Sequence, residues 1–324
     1  MNAPIDAVIM WVDGSDPDFI NSQNHYLKAT KRPVINSAAR HRDNGELRFA
    51  LRGLIHHTPW LRKIYVVTNG QRPSWLNFDN EKIVHVKHSD IFPESDLLPC
   101  FNSFAIESCV YRIEGLSETF VRLSDDFFVA RPASREDILG PSGLGRQIYR
   151  GMVQSEPKNR YQRQIKNNAD LFEAKLGHRP AYNYAHAPQV RTRDAFHEFV
   201  ELFADEINVT RNNRFRGPDD LIPLFLYPYF HAFSYDRESF DALMSNKSTD
   251  NSLIVGKDNS CWYQQVQVGR AESGWQRKLS RAVNAPPLYL NINDSFTAEN
   301  IEEERVIMEK ALDQLFPNPT EFEK

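Results

Sequence analysis

The sequence lacks the common loops that cradle a nucleotide by backbone alone. It has no Gly-x-x-x-x-Gly-Lys phosphate loop and no Gly-x-Gly-x-x-Gly fingerprint. It also lacks a Gly-x-Ser-x-Gly elbow and a His-Glu-x-x-His pair, which excludes the usual serine hydrolases and zincins. Any phosphate bound here is held by side chains and metal. Cysteine is scarce: Cys100, Cys109 and Cys261 are odd in number and fit no zinc spacing. Buried reduced thiols are expected, as in a cytoplasmic enzyme. No apolar run approaches the roughly 20 residues of a membrane span. The most apolar stretch, residues 221–230, carries Pro223 and Pro228. Residues 1–6 lack the basic and apolar regions of a signal peptide. The expected location is the cytosol, or the inner face of the membrane through a partner. Charge is balanced, 39 basic against 43 acidic residues for a net −4, so nucleic acid is not an expected partner. The exception is a local basic cluster, Arg-Asn-Asn-Arg-Phe-Arg at residues 211–216.

What is present reads as an ordinary globular chain of 324 residues, 41% hydrophobic and 25% charged. Apolar runs at residues 5–12, 64–68, 83–86 and 120–123 predict buried strands. Residues 21–42 are polar and basic and read as irregular. A helix is expected from Asp43-Asn44 to Pro59, with Leu47, Leu51, Leu54 and Ile55 on one face. Another is expected from Asn102 or Ser103, with Ile106, Cys109, Val110 and Ile113 as its core stripe. The order strand, helix, strand, strand, helix, strand predicts a mostly parallel α/β sheet. Beyond residue 133 the chain is polar and loop-rich, with helices expected at 161–176, 194–204, 219–230 and 299–315. This half reads as a helical cover (134–324) completing a site on the α/β core (1–133).

The most informative stretch is residues 119–130, Thr-Phe-Val-Arg-Leu-Ser-Asp-Asp-Phe-Phe-Val-Ala. Asp125 and Asp126 follow a strand, and ligands of open α/β sheets bind at the carboxyl ends of strands. Adjacent carboxylates repel unless a cation lies between them. A hard divalent ion holding a phosphate suits them better than an idle turn. Asp13, Asp16 and Asn69 also follow strand-like runs. The stretch 13–18 lacks the glycine and glutamate of a calcium loop. Arg48 and Arg52 are four apart on one helix, a fork for phosphate or a solvated stripe. Glu107 reads as a capping or ion-pairing residue as readily as a chemical one. His186 is the best general-base candidate if it faces the cleft. Arg216, just before a helix, could clamp a phosphate, while Asp219 and Asp220 could cap that helix. Leu-Asn-Ile-Asn-Asp at residues 290–294 offers a second strand ending in an amide and a carboxylate.

These blocks, in this order, resemble the Stealth family of sugar-phosphate transferases. The resemblance is carried by Ile-Asp-Ala-Val-Ile-Met-Trp-Val-Asp-Gly-Ser-Asp-Pro (5–17), Asn-Gly-Glu-Leu-Arg (44–48), Val-Thr-Asn-Gly-Gln (67–71), Asn-Ser-Phe-Ala-Ile-Glu (102–107), Ser-Asp-Asp (124–126), Ala-His-Ala-Pro (185–188) and Arg-Gly-Pro-Asp-Asp (216–220). It extends to residues 290–294 and the tail 316–323. Ser124 stands where the family usually has Asn, and Asn293-Asp294 is taken as the match to its last block. The resemblance implies a Rossmann-like fold similar to GT-A glycosyltransferases. It implies transfer of a hexose 1-phosphate, usually of an N-acetylhexosamine, from a UDP-sugar donor to a saccharide hydroxyl in capsular or cell-surface polysaccharide synthesis. It places Mg²⁺ (or Mn²⁺) on Asp125 and Asp126, with Asn293 or Asp294. His186 is the implied base, and Arg216 with Arg48 or Arg52 the implied phosphate cations, beside Glu107. Trp11, Asp13, Asp16, Asn69, Gly70, Ser103 and Asp219 are the implied substrate contacts. The alternatives are a metal-dependent glycosyltransferase releasing UDP and a non-catalytic sugar-nucleotide or glycan-binding protein.

Overall fold

A computed structural model describes residues 3–30, 42–140, 143, 145, 147–244, 253–255, 261–269, 273–296 and 301–324. The central sheet begins with β1 (Ile5–Met10), in which every residue is buried. Helix α1 (Pro17–Ala29) follows, and α2 (Glu46–His57) leads to β2 (Ile64–Thr68) and β3 (Ile83–Lys87). Two short helices, α3 (His88–Ile91) and α4 (Ser103–Glu107), precede β4 (Thr119–Ser124) and β5 (Phe127–Val129). Then come α5 (Arg135–Leu139), β6 (Gln147–Met152), α6 (Arg160–Leu176), β7 (Tyr182–Tyr184) and β8 (Gln189–Thr192). Helices α7 (Arg193–Leu202), α8 (Ala204–Asn212), α9 (Pro223–Tyr235) and α10 (Arg237–Met244) are consecutive. The chain ends through β9 (Leu253–Val255), β10 (Tyr263–Gly269), α11 (Trp275–Asn284), β11 (Tyr289–Ser295) and α12 (Ile301–Leu315).

The main sheet has the order β3-β2-β1-β4-β8, parallel throughout except for β8. Its strands are covered on both faces, as parallel sheets require. Ile5, Ala7 and Ile9 pack with Leu47, Leu51 and Leu54 of α2. Val8 and Met10 face the opposite layer, with Tyr65, Val67, Phe104, Phe199 and Phe230. Two small sheets, β10-β11-β5 and β7-β6-β9, flank the main one. The second half of the chain therefore supplies strands as well as the expected helices.

Three elements differ from the sequence reading. Residues 17–29 form α1, because Asp16 accepts from the Asp18 and Phe19 amides and Pro17 occupies the first turn. Residues 31–41 lie outside the described residues. The helix expected from 102 through 113 breaks after Glu107, where Arg211 takes the Ser108 carbonyl (2.8 Å) and hydroxyl (2.9 Å). The helix expected at 219 starts at Pro223, because Asp220 closes a turn instead: it accepts from Gly217 N at 2.7 Å, Asn213 Nδ2 at 2.6 Å and Asn102 Nδ2 at 2.8 Å.

Candidate active site

Register brings the strand ends together. Met10 is aligned with Val67 on one side and Ser124 on the other. Trp11, Asn69 and Asp125 therefore leave the sheet at one edge. A cleft of about 740 Å³ opens there. Its wall includes Trp11, Asn69, Ser103, Glu107, Asp125, Asp126, His186, Arg216, Asn293 and Asp294. It also includes Arg42, Glu46 and Arg122, which the sequence reading did not assign.

Asp126 is held by β11. Its backbone carbonyl accepts from Ile292 N and Asn291 Nδ2, both at 3.1 Å. Its Oδ2 accepts from Asn291 Nδ2 at 2.9 Å. Burial, relieved in part by that bond, leaves the Asp126 carboxyl at about 6. Asp125 is raised too: burial acts first, then repulsion from Asp126, Glu46 and Asp43. Glu46, buried at the N-terminus of α2, is pushed up to about 7 by desolvation. Asp125, Asp126 and Glu46 thus hold their protons to higher pH than free carboxyls do. Among the described residues, no three His, Cys, Asp or Glu side chains form a ready-made metal cage.

His186 sits on the link from β7 to β8. Its ring packs edge-on against Phe127, with centroids 4.6 Å apart, and its Nδ1 lies 3.8 Å from Asp126 Oδ2. Burial, and then Arg122 and Arg216, push its pKa far below the ordinary range, so the imidazole is neutral at pH 7. Arg216 bonds Ser103 Oγ, which ties down the start of α4, and its guanidinium lies 4.2 Å from the Phe104 ring. The Asp220 turn fixes the loop that carries Arg216.

Glu107 lines the cleft almost wholly buried and bridges two cations. Its Oε2 accepts from Arg122 Nη2 at 2.7 Å, and its Oε1 accepts from Arg191 Nη2. Burial acts to raise this carboxyl, but Arg122 and Arg191 together outweigh it and hold it below the ordinary range. The expected ion-pair role is the one the geometry displays. A charge inside the apolar run 120–123 was the available signal for Arg122.

Several predicted contacts lie elsewhere. Arg52 is committed to Glu323, with Nε–Oε1 at 2.8 Å and Nη2–Oε2 at 2.7 Å, and to the Phe316 carbonyl at 2.9 Å. Arg48 sits over Trp75 and 3.7 Å from Glu323. The Arg48/Arg52 fork therefore grips the chain's own tail. Asp16 caps α1, and Asp13 holds a turn through Ser15 N (2.8 Å) and Oγ (2.6 Å). Gly70, with φ of +115°, allows the turn after β2, while Asp219 is exposed. None of these six lines the cleft. Asp294 does, but Arg42 pairs with it at 2.8 Å. Asn293 Nδ2 reaches Gln267 Oε1 at 3.5 Å.

Three family models match this chain: Stealth conserved region 1 over residues 3–29, region 2 over 40–146 and region 3 over 185–233. The chain belongs to the Stealth family. The matched regions hold Asp125, Asp126, Glu107, His186 and Arg216; the Asn293-Asp294 strand lies outside them. An exopolysaccharide phosphotransferase of Streptomyces coelicolor is 31% identical over 99% of this chain and 52% of its own length. The capsular polysaccharide phosphotransferase SacB of Neisseria meningitidis serogroup A is 30% identical over 100% of this chain and 57% of its own. The chain thus spans about half the length of these relatives. Among solved structures, a galactosyltransferase, LgtC, matches 94% of this chain and 95% of its own at 10% identity and a TM-score of 0.39. Among the described residues no helix is long and apolar enough to cross a membrane.

Proposed function

We propose that this chain transfers a sugar 1-phosphate, of the N-acetylhexosamine class, from a UDP-sugar to an acceptor hydroxyl. UMP leaves and a phosphodiester forms, extending or decorating a capsular or cell-surface polysaccharide. The observation that carries this reading is that Asp125, Asp126, His186 and Arg216, from separate parts of the chain, open onto one cleft. Membership of a family whose relatives are polysaccharide phosphotransferases supports it.

The donor set fits a hard divalent ion, Mg²⁺ or Mn²⁺. Two neighbouring oxygen ligands repel each other, keep raised pKa values and leave room for substrate phosphate and water. Asp125 and Asp126 would hold the ion, with Asn293 within the same cleft. When bound, it neutralises charge on the diphosphate oxygens. The remaining work falls to the chain itself. Arg216, braced by Ser103 and Phe104, offers its guanidinium to a phosphoryl oxygen. Neutral His186 takes the acceptor proton as the acceptor oxygen attacks the β-phosphorus. The bond from that phosphorus to the α-phosphate oxygen breaks, UMP departs, and the sugar–oxygen–phosphorus link stays intact. Such displacements need alignment and charge neutralisation more than covalent help. Trp11 and Asn69 at the strand edge suit the nucleotide end. Tyr161, half exposed at the mouth and bonded to Asn183 at 3.2 Å, suits an acceptor sugar.

Residues 1–133 and 134–324 act in this reading as one catalytic unit, because the second half brings His186 and Arg216 to strands of the first. A cytosolic position at the inner face of the membrane, beside capsule-assembly machinery, goes with a polymer acceptor. The test is a panel of UDP-sugars with an acceptor, in Mg²⁺ and in EDTA, with nucleotide products read by mass spectrometry. UMP formed only with metal is the expected result. UDP in place of UMP would make the chain a glycosyltransferase, and no turnover of any UDP-sugar would leave a binding protein.

A further inference from the structure

We infer that Arg122 is a built-in ligand for a phosphoryl oxygen of the bound substrate. This rests on reading the cleft as a diphosphate site. Arg122 lies in the middle of β4 and is 3% exposed, yet it lines the cleft. Antiparallel pairing sets Arg122 opposite Gln189 and Phe120 opposite Arg191, so both arginines point to the face that carries Glu107. Glu107 is one carboxylate between two guanidinium groups, and the trio keeps one positive charge in excess. That excess is not spread evenly. Arg191 is sandwiched by Phe196 (4.5 Å) and Tyr227 (5.2 Å), bonds Gln189 Oε1 at 2.7 Å and does not line the cleft. Among the described residues, Arg122 has only Nη2 engaged and its Nε and Nη1 are buried without a hydrogen-bond partner, whereas in Arg191 only Nη1 is left so.

An unpartnered buried donor is costly, and more so when charged. Nε–H and Nη1–H leave the guanidinium along different edges, so each can give one charge-assisted hydrogen bond to a phosphoryl oxygen. Their neighbours in the cleft are Asp126 and His186, the groups assigned to the metal ion and to the acceptor proton. Glu107 then acts as a positioning residue: it holds the third nitrogen, Nη2, and so fixes the guanidinium plane.

The arginine pair supplies its own control, since both lean on Glu107 and only Arg122 faces the cleft. Inorganic diphosphate is titrated calorimetrically into the full chain with excess Mg²⁺. Arg122→Gln should bind it about 10- to 100-fold more weakly, the usual span for one charge-assisted contact. Arg191→Gln should stay within about threefold of wild type even if both variants lose similar thermal stability. Arg122→Lys keeps the charge and the Glu107 pair but loses the planar Nε and Nη1 donors, so it should weaken binding about tenfold and serves if the Gln variant does not fold. Unchanged diphosphate affinity in either Arg122 variant, or an equal loss in Arg191→Gln, overturns the inference. A wild type that binds diphosphate yet releases UDP from UDP-sugars would end the phosphotransfer reading and leave Arg122 standing. A wild type that releases UMP while Arg122→Gln binds diphosphate normally would do the reverse.

Discussion

At the N-terminal end of β1, Asp6 is fully buried and fully answered: Arg62 donates to both its oxygens, at 2.9 and 2.5 Å, and the amides of Lys63 (3.1 Å) and Ser117 (2.7 Å) complete its shell. At the C-terminal end of neighbouring β4, Asp125 is repelled by Asp126, Glu46 and Asp43, and among the described residues no hydrogen bond joins Asp126 to a cation. The same contrast runs along α2. Arg52, two turns in, is saturated by Glu323 and Phe316, while Glu46 at the helix start is met by neutral Asn44 (N and Nδ2, both 2.7 Å) and is pushed up to about 7. Where buried charge serves only the fold, the fold itself satisfies it. Where it is left open, in one cleft, the proposed function has the missing partners come from outside.

Four changes test that contrast, taken from the largest effect to the smallest. Asp126→Asn should cut UMP release by about 10³-fold or more, since it strips charge from the diphosphate side of the cleft. It should not lower the melting temperature of metal-free protein at pH 8. A large loss of stability instead would make Asp126 a structural acid like Asp6. Asp6→Ala should show the mirror image: about 3 kcal/mol lost in urea unfolding, because two amides and a guanidinium lose their acceptor, with turnover per folded molecule unchanged.

Third, Glu46→Gln should stabilise the metal-free protein at pH 8 by about 1–2 kcal/mol while lowering activity. The sign follows from linkage. The folded carboxyl holds its proton up to about 7, against 4.5 for the ordinary value. Its contribution is therefore full below pH 4.5 and lost as pH rises through 7, and Gln cannot lose it. Flat stability of the wild type over that window would remove the premise. Fourth, Mg²⁺ affinity should fall by about tenfold per pH unit as pH drops below 6, because Asp126, at about 6, takes up a proton there. Calorimetry in buffers of different ionisation enthalpy reads the protons released. An affinity independent of pH would place the ion elsewhere.

The parts of this molecule that were legible in sequence are the parts set by neighbours along the chain. Strand runs such as 64–68 and the Asp125-Asp126 pair at a strand end obey local rules, and the cleft gathers them where a parallel sheet must. What escaped depends on distant partners. Glu323 claims Arg52 from 271 residues away, which no spacing on α2 could reveal. Asp220 rather than Asp219 builds the Arg216 loop, because Asn102 and Asn213 meet it only after folding. Helix α1 was hidden by its polar composition, although Asp16-Pro17 carried a start signal. Arg122 stood in plain view as a charge within a buried strand, and its meaning came only with Glu107, Arg191 and the cleft beside it.

The most direct test follows the β-phosphorus. A UDP-N-acetylhexosamine labelled with ³²P at the β-position is incubated with Mg²⁺ and an acceptor saccharide, and the label is located after separation. The account predicts label in the acceptor product as a phosphodiester, with unlabelled UMP released. Label retained in UDP, with sugar alone on the acceptor, would contradict it.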